Sequence, residues 1–284
     1  FHAGDTKNDA ELSQAFADLA DIFVLDAFSV AHRKHSSSYG VGEIIPAYAG
    51  ALLEKEVEKI SSLLFEPKRP VLAIVGGAKV STKITVLEAL LPLVDNLVIG
   101  GGMAFTFLHC QGYSIGKSLL DEPSIPIAQS FLEAAGTSST RATVHLPVDV
   151  NCAKEFSTGV PVTTVSSHKI PDDQMGLDIG PESLAQVKQL VEDSETVFWN
   201  GPLGVAEIPE FAVGTESIAR LLAESDILSV VGGGDSVAAI KQTGVEADIT
   251  HISTGGGAAL EFIEKQSLPG IELCQVQNGS PACV

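Results

Sequence analysis

The chain has 284 residues, 45% hydrophobic and 19% charged, a composition that builds a core and is not that of a disordered segment. Its 17 Lys and Arg stand against 36 Asp and Glu, a formal charge of −19, which argues against sequence-independent nucleic-acid binding, since neutralising phosphates takes clustered cations. Any anion it binds must be held locally, by backbone N–H groups and a few lysines. No apolar run reaches the roughly 20 residues of a membrane span, and the opening FHAGDTKNDAEL lacks the basic start and apolar core of a signal peptide. Cys110, Cys152, Cys274 and Cys283 have no C-x-x-C or zinc-type spacing. They read as free thiols of a reducing compartment, a Cys274–Cys283 disulfide being the alternative.

Short β-branched apolar stretches at residues 21–28, 70–77, 95–102, 142–150, 196–201, 227–234 and 248–254 are predicted strands. They are apolar on both parities, as parallel strands covered on two faces should be. Residues 184–193 and 213–225 are predicted helices, and the repeat of strand, glycine turn and helix predicts a parallel α/β sheet. The stretch 46–70, PAYAGALLEKEVEKISSLLFEPKRP, carries Leu, Val and Ile at helical spacing between prolines. It reads as one long amphipathic helix, either bridging two lobes or serving as a crossover.

Several predicted strands end in glycine: Gly76-Gly77, Gly100 to Gly102, Gly201 and Gly232 to Gly234. Ligands of open parallel sheets sit beyond these strand ends, where glycine lets backbone approach a phosphate and a helix N-terminus supplies donors. Asp235 then reads as a helix N-cap, as a Mg²⁺ ligand beside nucleotide phosphates, or as both. Lys79 and Lys83 are four apart just after a glycine turn, which would put both on one side of a helix start and suits a phosphate chain; an ordinary exposed lysine pair is the plainer reading. GYSIGKS at 112–118 has one residue too few between its glycines for a Walker A loop and follows a helix-like stretch. The same residues spell G-x-S-x-G, with Ser114, Asp235 and His251 in the order a serine hydrolase needs, but without the strand–turn–helix setting of a nucleophile elbow.

DAFSVAHRKHSS (26–37), VGGAKVSTKI (75–84), GGGMAFTFL (100–108), MGLDIGP (175–181), WNGPLGVAE (199–207), GGGDS (232–236) and HISTGGGA (251–258), in this order, resemble the phosphoglycerate kinase family. The resemblance implies an α/β fold: a parallel-sheet, Rossmann-like nucleotide-binding lobe, with the remnant of a second α/β lobe. It implies a monomeric phosphotransferase with a carboxyl acceptor, moving a phosphoryl group between 1,3-bisphosphoglycerate and ADP with Mg²⁺. Such an enzyme serves glycolysis or carbon fixation, in the cytoplasm or a plastid, with small-molecule substrates and neither nucleic acid nor membrane as partner. Carried over, Lys83 would hold the nucleotide phosphates and the charge in transit, with Lys79 beside it. Gly233, Gly234, Asp235 and Ser236 would form the phosphate turn, Asp235 toward Mg²⁺. Gly76, Gly77, Gly101 and Leu177 would line the adenine slot, Asn200 would sit near the phosphates and Glu207 would bind the ribose. Arg33 would contact the glycerate substrate with His32 and His35 as neighbours, and Gly255 to Gly257 would face the transferring group, Gly234 and Gly257 acting with Lys83 in catalysis.

The resemblance divides the chain into a remnant of the substrate lobe (1–45), a hinge helix (46–65), the nucleotide lobe (66–270) and a tail (271–284). The family's sequences carry a lobe before the point matching Phe1, with most of the basic residues that grip the substrate. The isolated chain is therefore expected to bind nucleotide without appreciable transfer; a stand-alone nucleotide-binding module is the alternative. Residues 1–45 are expected to expose apolar faces and sheet edges. Ser29-Val30 stand where Gly-Thr is usual, Gln174 where Trp is common and Ala206 where Phe is usual, and residues 274–284 do not match the family's ending.

Overall fold

The computed structural model describes residues 2–137 and 140–278; Cys283 and the tail beyond Asn278 lie outside the described residues. The backbone separates into two compact units, residues 1–66 with 253–284, and residues 67–252. No helix of the described residues is long and apolar enough to cross a membrane.

In the first unit, α1 (Ala10–Ala17) starts under Asp9, whose carboxylate accepts the Leu12 N–H at 2.9 Å. Strand β1 (Phe23–Leu25), the short α2 (Val41–Ile44) and β2 (Ala47–Ala49) follow, and β1 pairs with β2 in parallel, Phe23 beside Ala47 and Leu25 beside Ala49. The predicted helix over 46–70 is thus too long: residues 47–49 are a strand, and α3 spans Ala51–Leu64. Gly50 is extended, and the Asp26 carboxylate accepts the Leu52 and Leu53 N–H groups at 2.6 and 3.1 Å, which starts the helix there. The buried face of α3 runs Leu53, Glu56, Ile60, Leu63, Leu64, so a glutamate sits within the apolar stripe. As expected for 1–45, Leu19, Ile22 and Val24 are exposed, Leu19 to 80%.

The second unit is built on a six-stranded, wholly parallel sheet in the order β11-β10-β9-β3-β4-β5. The chain runs β3 (Val71–Val75), α4 (Ile84–Leu90), β4 (Asn96–Ile99), α5 (Met103–Cys110), α6 (Ile125–Ala135) and β5 (Thr143–His145) on one side. It returns through β6 (Asp149–Ala153), β7 (Thr163–Ser166), β8 (Met175–Ile179) and α7 (Pro181–Glu192) to β9 (Thr196–Asn200), α8 (Val213–Ala223), β10 (Leu228–Gly232), α9 (Gly234–Thr243) and β11 (His251–Ile252). All five residues of β3 and of β9 are buried, which accounts for their unbroken apolar sequence. Leu72, Ile74, Val197, Trp199 and Val231 form one core with Val187 and Val191 of α7, Ile218 and Leu222 of α8 and Ile240 of α9.

All seven predicted strands contain a strand, with one correction. Residues 142–150 hold two: β5 in the parallel sheet, and β6, which starts at Asp149 after Pro147 and pairs antiparallel with β7 and β8. This three-stranded sheet was not foreseen. One of its two outer strands, β7 (TTVS), is mostly exposed and polar, without the apolar signal of the others.

The chain then re-enters the first unit through α10 (Gly257–Lys265) and α11 (Pro269–Asn278). There Phe262 meets Phe28 edge to face at 6.4 Å and the Gly270 N–H donates to Ala31 O at 2.9 Å. Contacts therefore group 253–270 with the N-terminal segment, where the sequence division keeps them with 66–270.

Candidate active site

In the second unit the sheet order reverses between β3 and β9, because the chain grows outward from β3 first through β4 and later through β9. A crevice beyond the carboxyl ends of such strands is where open α/β sheets take ligands. Here those ends are Gly76-Gly77 and Gly201, stitched by the Gly76 N–H to Asn200 O at 2.9 Å. A Cβ on Gly201 (φ +94°) would stand 2.1 Å from Gly76 O, and one on Gly101 (φ +66°) within 3 Å of Gly77 and Pro202 backbone. These glycines allow three turns to pack backbone on backbone.

Beside this floor opens a cavity of about 470 Å³, within the ordinary range for small-molecule sites. Its wall includes Gly77, Gly101, Phe105, Leu177, Val205 and Glu207, with Asp235 also on its lining. At its edge Lys83 lies beside Gly77 and donates to Asn200 Oδ1. Burial pushes the Lys83 ammonium below the usual lysine range, and the nearby Asp235 carboxylate pulls it partly back. Asn200 is fully buried, and its Nδ2 has no partner among the described residues. That orphan donor lies against Gly233, whose added Cβ would be 3.0 Å from it. Gly233 (φ +93°) turns the chain into α9, while a Cβ on Gly234 would meet nothing within 4 Å. The corner thus gathers an ammonium, an unpaired amide, an open helix N-terminus and one carboxylate.

Asp235 is exposed in the first turn of α9, and no side chain caps that helix, so it is not the N-cap. Ser236 is fully buried and accepts the Gly201 N–H, which puts it beneath the turn. Lys79 and Lys83 do not share a helix start: Lys79 is extended and exposed, a 3-10 turn spans Val80–Thr82, and α4 begins after Lys83. The Asp121 carboxylate tethers this segment, accepting the Ser81 N–H at 3.0 Å and the Ser81 hydroxyl at 2.9 Å. Ser114 lies in a loop after α5 with no helix directly following, so neither a P-loop nor a nucleophile elbow forms there.

In the first unit, Arg33 is exposed and His32 half-buried, its Nδ1 unpartnered among the described residues. Burial, with Arg33 adding to it, lowers the His32 pKa. His35 Nδ1 is 3.8 Å from Asp5, whose carboxyl is held below its ordinary value chiefly by the Ser37 N–H. The turn into α10 is fixed by Glu56: its Oε1, fully buried, accepts the Thr254 N–H at 2.6 Å and the Thr254 hydroxyl at 2.7 Å. Beyond it Gly256 (φ +50°) and Gly257 have open space where a Cβ would be.

A family model described as "Phosphoglycerate kinase" matches residues 1–266. The chain belongs to the phosphoglycerate kinase family. It is 49% identical over 271 residues to phosphoglycerate kinase of Moorella thermoacetica, covering 95% of this chain and 68% of that protein. It is also 49% identical over 276 residues to that of Thermus thermophilus, covering 97% and 70%. Among solved structures, phosphoglycerate kinase from Coxiella burnetii superposes with a TM-score of 0.91 at 43% identity, over 98% of this chain and 71% of that one. The enzyme from Pyrococcus horikoshii gives 0.84 at 29%, again over 98% and 71%. The parallel α/β fold expected from the resemblance is therefore the fold of a phosphotransferase family.

For this member of the phosphoglycerate kinase family, the structure gathers Gly77, Gly101, Leu177, Glu207 and Asp235 around one cavity, with Gly76, Lys83, Asn200, Gly233 and Gly234 at its edge. Lys79 and Ser236 are not on its lining. The sequence pattern did not flag Phe105, Leu119, Phe156, Asp178, Pro202 or Val205, all on the lining. Phe156 carried a usable signal, an aromatic side chain in the polar stretch KEFSTG that stays 62% exposed. Phe105 of α5 and Met175 and Ile179 of β8, also on the lining, are indistinguishable from core in sequence.

Proposed function

We propose that the cavity binds the adenosine of ADP or ATP and that the Lys83 corner holds its phosphates for transfer to and from 1,3-bisphosphoglycerate. The convergence of Lys83, the unpaired Asn200 amide and the open N-terminus of α9 beside a 470 Å³ cavity carries this reading. The adenine ring packs on Leu177 and the glycine backbones, and Glu207 accepts a ribose hydroxyl. The first N–H groups of α9 and Asn200 Nδ2 donate to phosphate oxygens, with the helix dipole adding to the attraction. In the forward direction the bond from phosphorus to the carboxyl oxygen of 1,3-bisphosphoglycerate breaks, and one to a β-phosphate oxygen of ADP forms. Lys83 holds its charge against the group in flight, and preorganised charge of this kind is most of what phosphoryl transfer asks of a protein.

Among the described residues no cluster of three or more His, Cys, Asp or Glu could hold a metal. A lone exposed Asp235 fits Mg²⁺ that arrives on the nucleotide, since Mg²⁺ is commonly bound by one or two carboxylates plus phosphates. When bound, it neutralises phosphate charge. Arg33, His32 and His35 face the glycerate substrate, and Gly255 to Gly257 the transferring group. By themselves these 284 residues bind nucleotide with negligible transfer, because Arg33 is the single basic substrate-side residue that the family resemblance carries over.

Calorimetric titration of ADP into the chain, with and without Mg²⁺, tests this reading. Saturable binding that strengthens with Mg²⁺ and weakens about 10- to 100-fold in Lys83→Ala is expected, the loss of one charge-assisted contact. Absence of binding, or a Lys83→Ala variant that binds as tightly, would overturn it.

A further inference from the structure

Asp178 is only 3% exposed on β8, yet it lines the cavity. Its Oδ1 accepts the Ile179 N–H and its Oδ2 the Gly214 N–H at the start of α8, both at 2.9 Å. Two glycines press against the carboxyl. A Cβ on Gly204 would stand 2.2 Å from Oδ1, and one on Gly214 2.7 Å from it. The same side chain therefore touches β8, the start of α8 and the loop that carries Leu203, Val205 and Glu207 into the cavity wall. That loop has three further anchors, Val205 N–H to Leu177 O at 2.9 Å, Leu203 N–H to Thr215 Oγ1 at 3.0 Å and Gly101 N–H to Leu203 O at 3.0 Å. Asp178 is the one of these anchors that can gain or lose a proton.

Resting on the reading of this cavity as a nucleotide site, we propose that Asp178 is a positioning residue that seats the 203–207 loop, and that through it adenosine binding is linked to proton uptake. Burial pushes its carboxyl up to about 7, against the pull of the two backbone donors. The charged groups on surrounding elements are Glu207 on the loop, Glu210 on the turn before α8, Glu216 in the first turn of α8 and Asp149 on β6. Lys117 and Asp235 also line the cavity. None of these forms an ion pair with Asp178 among the described residues, so nothing compensates its negative form except N–H groups. An adenine ring in the cavity replaces water beside the carboxyl and disfavours that form further. The complex then keeps the proton to higher pH than the free protein, and reciprocity makes affinity fall as pH rises through that interval.

The test is titration of adenosine, which has no group ionising in this range, into the full chain between pH 6 and 8.5. The dissociation constant of the unaltered chain is expected to rise about three- to tenfold, as a half-unit to one-unit shift requires. Asp178→Asn should bind adenosine with no such slope. Independently of whether that variant folds, the amide resonances of Gly204 and Gly214 in the unaltered chain should titrate with a midpoint that moves upward on adding adenosine. Saturable binding with the same pH profile in both chains, or amide midpoints that adenosine leaves in place, would overturn this inference and leave the nucleotide site standing. No saturable adenosine binding at any pH would overturn both.

Discussion

Two glycines at strand ends have opposite reasons for being glycine, and alanine at each separates them. At Gly201 the backbone is left-handed (φ +94°), and a Cβ would meet Gly76 O at 2.1 Å and Gly76 C at 2.5 Å, both backbone atoms of a buried strand end. The left-handed conformation costs an L-residue about 1–2 kcal/mol. Forcing packed backbone apart costs about 1–3 kcal/mol more, so Gly201→Ala should lose about 2–5 kcal/mol of stability. At Gly234 nothing lies within 4 Å of a Cβ and the residue opens α9. Gly234→Ala should keep or gain stability, by up to about 1 kcal/mol through the unfolded chain. On the proposed nucleotide reading, its methyl group would instead occupy the space assigned to a phosphate at the α9 N–H groups and weaken ADP about 10- to 100-fold. Denaturant unfolding followed by the fluorescence of Trp199, the sole tryptophan and fully buried in the second unit, reads stability; calorimetry reads binding. Unchanged ADP affinity in Gly234→Ala, or an unchanged unfolding midpoint in Gly201→Ala, would refute the reasoning.

Glu56→Gln keeps an acceptor for Thr254 but removes the charge from two short hydrogen bonds, and should destabilise the first unit by about 1–3 kcal/mol with faster amide exchange at Thr254. Unaltered exchange there would count against a role for Glu56 in holding the turn into α10. The Ser81 N–H holds the folded pKa of Asp121 below its ordinary 3.8, so this tether is complete above that value and lost as pH falls through the lower folded one. Ser81 amide protection should accordingly drop on acidification below about pH 4 and should be insensitive to pH in Asp121→Asn. Asp178 has the opposite sign. Its folded pKa of about 7 lies above the unfolded 3.8, so the folded state holds a proton the unfolded one has released, and stability falls as pH rises through that window. The whole loss is about 4 kcal/mol at about 1.4 kcal/mol per unit, and unfolding free energies at pH 5 and 8 should differ less in Asp178→Asn. Equal differences would show that Asp178 is not buried as a neutral acid.

The parallel sheet was legible because β3 and β9 are buried on both faces, and each predicted apolar run marks a strand. The start of α3 was not legible, because AYAGALLEKEV continues a helical pattern on both sides of Gly50 and the group that starts the helix, Asp26, is 26 residues upstream in the chain. The antiparallel β6–β8 sheet escaped because TTVS has a solvated face and short strands resemble loops. Glycine turns and Lys83 pointed to the corner where Lys83, Asn200 and the start of α9 meet because small residues and a cation in an acidic chain stand out. The place of the Ser236 hydroxyl was not legible, because a serine in a glycine turn looks the same in sequence whether its side chain is open or, as here, accepts Gly201 N–H from beneath. Asp178 and Glu56 escaped because an acid inside an apolar run is visible only once its partners, 36 and 198 residues away, are brought to it.

The first unit is discontinuous, made of residues 1–66 and 253–284, while the second is one uninterrupted stretch. During synthesis, Phe28 and Leu25 must wait for Phe262 and Gly270, which emerge after the roughly 190 residues of the second unit, an interval of roughly 10–40 s at about 5–20 residues per second. Every strand of the six-stranded sheet lies within that intervening stretch. The connectivity therefore lets the second unit close while residues 1–66 still wait for the segment from residue 253 onward that covers them.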